Sequence, residues 1–228
     1  MTMLLLAAIA FVGTHFLLSH PLRAPLVRAT GEGAFLGIYS VVAIVTLIWM
    51  VVAYRRAPGN VPLWSVGDGL WAVATVITLI ASVLLAGSLV GNPAFPKPGA
   101  PGAAPGSARG VYALTRHPML WSFAIWGCAH ILIYPIAKNF IVTAAIIVLS
   151  LVGAAFQDTK KERLQPQVWP DWERQTSYFP LAAVFAGRAR FGGFGPVAIV
   201  GGVGFWLAAT WAHIPLSGWP ASVWRWLL

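Results

Sequence analysis

Apolar and polar positions along this chain separate on the scale of whole segments. Six runs, over residues 3–19, 34–54, 69–91, 119–136, 139–157 and 194–212, carry hardly any charge and are bounded by Gly, Pro or basic residues. A helix of about 17 to 25 mostly apolar residues crosses a hydrocarbon core. The pattern therefore predicts an all-α, polytopic membrane bundle of about six transmembrane helices, a single membrane domain over residues 1–228. Only a few residues around Pro135, Lys138 and Asn139 separate the fourth and fifth runs, so these two form a tight antiparallel hairpin. The first run lacks the basic n-region of a secretion signal and holds His15 near its end, which reads as a mature helix. No internal repeat is present.

Composition supports the same solvent. Of the 228 residues, 58% are hydrophobic and 9% are charged, far below the roughly 25% charge that wets a soluble domain. Membrane lipids are thus expected partners. The net charge of +9 is scattered among short segments between the runs, without the basic-aromatic patch of a nucleic-acid binder. It reads better as an orientation signal. Eleven of the 15 Lys and Arg residues follow the first, third and fifth runs, and the other four are Arg55, Arg56, Lys138 and Arg225. Basic loops stay cytoplasmic, so those three loops are expected inside and both termini outside, in a bacterial inner membrane. The lone Cys128 permits no intramolecular disulfide and no CxxC site.

Two connecting segments differ in chemistry. Residues 92–110, rich in Pro, Gly and Ala, read as a flexible tether. Residues 158–180 mix both signs of charge with Trp169, Trp172, Tyr178 and Phe179, which suits an interfacial segment with rings at headgroup level.

Ionisable groups at membrane depth are functional candidates because their burial must be offset by a partner or a ligand. His15 lies in the first run, His117 opens the fourth, His130 follows thirteen residues later, and His213 closes the sixth. His20, beside Pro21, reads as a solvated loop residue. Imidazoles from two helices suit an axial haem pair, or zinc or copper. The spans offer no HExxH pair and no acidic residue, which disfavours a metalloprotease and a hard-cation site and ranks haem above zinc. With a rise of about 1.5 Å per residue, His130 lies roughly 16 Å from the cytoplasmic end of its helix, and His15 lies some 6 to 9 Å from that face. On depth, His15 with His117 is an alternative pairing. Arg116, His117 and Pro118 form a helix N-terminus suited to an anion. Arg23 and Glu32 make a second polar pair at the same side.

THFLLSHPLR followed by GEGAFLGIYSVVA, then TRHPMLWSFAIWGCAHIL and QDTKKERL, resemble the NnrU family of bacterial membrane proteins, which includes the 15-cis-zeta-carotene isomerase. The quoted motifs reach from about residue 11 to about 180, with the helix over 194–212 additional. The resemblance implies haem b with His15 and His130 as iron ligands. Arg116 and Arg23 are then expected to receive the haem propionates by bidentate pairing. The isomerase carries a Cys three residues before its second His, where this chain has Gly127; Cys128 is displaced by about 100° around the helix. Family members are associated with denitrification and nitric oxide metabolism, and the isomerase acts on a hydrophobic small molecule.

Arg116-His117-Pro118 with a later Glu162 is also similar to isoprenylcysteine carboxyl methyltransferases, which bind S-adenosylmethionine through an RHPxY motif and an acidic pair. Here Leu120 takes the place of the Tyr, and Glu162 has no acidic neighbour. A third class is a non-catalytic haem sensor or assembly factor that uses the same His ligands.

Overall fold

A computed structural model describes residues 1–93 and 106–228, and twelve helices with no strand occur among them. In chain order these are α1 (Thr2–Ser19), α2 (Arg23–Thr30), α3 (Glu32–Arg56), α4 (Asp68–Ser88), α5 (Val111–Leu114) and α6 (Pro118–Ile133). They continue as α7 (Ala137–Leu164), α8 (Trp169–Gln175), α9 (Ala182–Phe185), α10 (Pro196–Trp211), α11 (His213–Ser217) and α12 (Trp224–Leu227). Five of the described helical segments, α1, α3, α4, α7 and the α10–α11 stretch, are long and apolar enough to cross a membrane, and α6 is a shorter apolar helix. The expected membrane bundle is what forms. The tether expected over 92–110 falls largely on residues 94–105, outside the described residues.

Why these segments make helices follows from their solvent. A backbone in hydrocarbon must satisfy its N–H and C=O groups internally, which the helix does within one segment. Large apolar side chains then turn outward. On α3, Val41, Ile44, Val45 and Ile48 are all more than half exposed, as lipid-facing residues are. Small and hydroxyl-bearing residues turn inward, where they let backbones approach. Ala7, Ala8, Ala74, Ala81, Ser82, Thr143 and Ser150 are buried, and Ser82 and Thr143 return their hydroxyl hydrogens to carbonyls one turn back.

The bundle is a chain of neighbours. α1 packs on α3 and α7, α7 packs on α6, α6 packs on α4, and α4 packs on α10. A close approach joins α4 to α10 at Gly202, where a Cβ would lie 2.6 Å from the Val83 Cα. The hairpin of α6 and α7 turns at Pro135, and Asn139 Nδ2 donates to the carbonyls of His130 (2.9 Å) and Tyr134 (2.7 Å), satisfying the end of α6.

Two features differ from the sequence expectation. The fifth run was expected to end at residue 157, yet α7 continues to Leu164, because QDTKKERL contains no helix breaker and its charges lie beyond the apolar run. The aromatic residues of the following segment divide. Trp169 and Trp172 are buried against Val83, Leu84, Val111 and Tyr112, so they are core residues and not headgroup anchors, whereas Phe179 is exposed.

Candidate functional site

The C-terminal end of α6 carries the first constellation. His130 sits in the last turn before Pro135 stops the helix, and its Nδ1 lies 2.9 Å from the Trp126 carbonyl. That bond fixes Nδ1 as the protonated nitrogen and leaves the Nε2 lone pair free to bind, the orientation found in metal-ligating histidines. The Trp126 ring stacks at 4.0 Å from the imidazole. His213, at the junction of α10 and α11, repeats the arrangement with Nδ1 2.8 Å from the Ala209 carbonyl. Its ring centroid stands 6.2 Å from that of His130, with 33° between the planes. The two come together because α4 packs along both α6 and α10.

His15 lies elsewhere. Its Nδ1 is held by the Phe11 carbonyl at 2.6 Å, and its ring neighbours are Phe11 and Tyr39 at 4.4 and 5.5 Å. It stands one turn from the end of α1, on the side of the bundle where α6 begins, while His130 is near the end of α6. The structure therefore brings His130 beside His213 and not beside His15. His20 lies half-buried in the turn after α1, with its two ring nitrogens each 3.3 Å from a carbonyl, of Phe16 and Phe156.

The start of α6 holds the second constellation. Arg116 donates from Nε and Nη2 to Asp158 Oδ2 at 2.9 and 2.6 Å, and Nη2 also faces Glu173 at 3.3 Å. His117, fully buried at its side chain, lies with Nε2 2.8 Å from the other Asp158 oxygen and Nδ1 3.2 Å from the Gln157 amide. Burial pushes the Glu173 carboxyl above its ordinary range, and the Arg116 guanidinium opposes the shift. The expected anion site is thus occupied by the chain's own carboxylates, and His117 has no ring nitrogen left over for iron. Arg23 is likewise engaged, by Glu32 at 2.5 Å and over the Phe35 ring. Neither arginine is presented as a free propionate anchor.

Sequence reasoning missed Asp158 and the pairing of His213. An Arg-His pair at a membrane boundary needs a counter-charge, and the Gln-Asp at the end of the fifth run was the available signal.

The family model described as NnrU protein matches residues 3–221. The chain belongs to the NnrU family. The match takes in all five histidines and the helix over 194–212, so the NnrU-like region extends well past the motifs over 11–180. No curated protein and no solved structure matches the chain. At Gly127 a Cβ would meet Ile147 Cγ1 at 2.8 Å, and Cys128 is exposed.

Proposed function

We propose that this NnrU-family member is a haem-binding integral membrane protein whose iron is held by His130 and His213. The observation that carries the reading is the spacing of these two rings. The observed centroid separation of 6.2 Å would leave room for one metal ion between the rings, given a metal–nitrogen bond of ~2 Å and the radius of an imidazole ring on each side. Both rings already have Nδ1 committed to a carbonyl. No group of three or more His, Cys, Asp or Glu side chains with metal-binding placement occurs among the described residues. His130 and His213 would hold a metal carried within a macrocycle better than a bare zinc ion, which takes four protein or water ligands.

Haem b bound there would supply an iron able to change oxidation state and to act as a Lewis acid within an apolar surrounding. The chain's own part is to orient the imidazoles through Trp126 and Ala209, to stack Trp126 on one of them, and to keep water out. A partner reaching the pair through the bilayer would be apolar, and we assign the site a lipidic small-molecule substrate, with cis–trans isomerisation of a polyene as the reaction to assay. The basic loops that follow α1, α4 and α7 face the cytoplasm in this reading, in a bacterial inner membrane.

The test is haem content. Protein purified in detergent from haem-replete cells should show a Soret band and yield the pyridine haemochrome of haem b in stoichiometric amount. A colourless protein that also fails to take up added haemin would overturn the proposal, and retention of S-adenosylmethionine by that protein would favour the methyltransferase reading.

A further inference from the structure

A cavity of about 600 Å³ opens where the end of α4 meets α5 and the start of α10, within the ~300–1,000 Å³ range of ligand sites. Gly87, Val111, Tyr112 and Phe194 give it an apolar wall, and Arg109 and Arg190 line the same space with no acidic residue among the lining side chains. Arg109 donates Nε–H to Ser107 Oγ at 2.9 Å, and neither arginine forms an ion pair among the described residues. Both are exposed, whereas Arg23, Arg116, Arg174 and Arg225 each have a carboxylate partner. The wall is also short of hydrogen-bond acceptors for its own donors. α10 begins at Pro196 on the N-cap Gly195, so the N–H groups of Val197 and Ala198 in its first turn have no acceptor within the helix. Positive φ at Gly193 and Gly195 (102° and 81°) shapes the approach of that segment.

Two unpaired guanidiniums above an apolar wall, at the end of two membrane-spanning helices, match a molecule with an anionic phosphodiester head and hydrocarbon chains. We propose that this cavity binds the headgroup and upper acyl chains of an anionic phospholipid, with Arg109 and Arg190 on the phosphate. The site is at the opposite end of α10 from His213 and stands independently of haem binding.

The experiment is native mass spectrometry of the full-length protein, released from detergent with phosphatidylglycerol, phosphatidylcholine or inorganic phosphate. Phosphatidylglycerol should be retained and phosphatidylcholine should not. Arg109→Gln with Arg190→Gln should weaken phosphatidylglycerol retention about 30-fold, the ~2 kcal/mol that two basic side chains contribute beside an anionic lipid. Arg28→Gln, an exposed basic change at the same side of the bundle, should leave retention unchanged. The single variant Arg190→Gln, expected to lose part of the affinity, serves if the double variant melts early. Equal retention of the two lipids, no retention by the unaltered protein, or an equal loss in Arg28→Gln would overturn the assignment. Displacement of the lipid by inorganic phosphate at equal concentration would also overturn it, since the cavity would then be a free-anion site.

Discussion

Arg116 and His117 show how much a pair of adjacent letters can say. Their types and their place before Pro118 identified a charged helix start, but not which group faces them. That group, Asp158, lies more than forty residues away on α7, and hydropathy carries no information about such a return contact. Once both bonds are formed, Asp158 neutralises a guanidinium and orients an imidazole in a poorly hydrated place. Asp158→Ala should therefore destabilise the protein by about 3 kcal/mol, because it leaves Arg116 with its main partner removed. Pairing it with Arg116→Ala should cost less than the sum of the two, as read from denaturation in mixed micelles.

Glu173 gives a pH dependence of known sign. Its folded pKa is raised, chiefly by burial, so the folded state binds its proton more tightly than the unfolded chain does. Its contribution favours folding below the unfolded pKa and is lost as pH rises through the folded one. Glu173→Gln should abolish this part of the pH dependence, and melting temperatures at weakly acidic and neutral pH should lie closer together in the variant than in the parent protein.

At the scale of elements, the lengths of the apolar runs located the five long spans, with α7 alone running well past its expected end to Leu164, because crossing a bilayer is a length requirement that any helix must meet. What the runs did not disclose is their order around the bundle. The pairing of His15 with His130 assumed that α1 and α6 are neighbours, whereas α7 stands next to both and α4 brings α10 to α6. The cue for one contact lay in the glycines. Gly202 admits Val83 because it has no side chain, as small residues do at close helix crossings. Gly202→Ala should cost about 1 to 3 kcal/mol by overpacking. Gly204→Ala on the same helix, with nothing within 4 Å of the added Cβ, should be close to neutral in the same denaturation assay.

At the scale of the whole molecule, in the proposed orientation α6 crosses as a sixth span beside the five long ones, which returns both termini to one side, and the distribution of basic residues makes that side the exterior. Alkaline phosphatase fused after residue 228 should be active, and a fusion within residues 165–180 should be inactive; the reverse pattern would invert the bundle. Inside that frame, the proposed iron would join α6 to the α10–α11 junction through His130 and His213. The most direct test follows the Soret absorbance as haemin is added to purified protein and to His130→Ala, His213→Ala and His15→Ala. The account predicts loss of the bis-histidine spectrum in the first two variants and an unchanged spectrum in His15→Ala. A normal spectrum in His213→Ala, with loss in His15→Ala, would contradict it and restore α1 as the source of the second ligand.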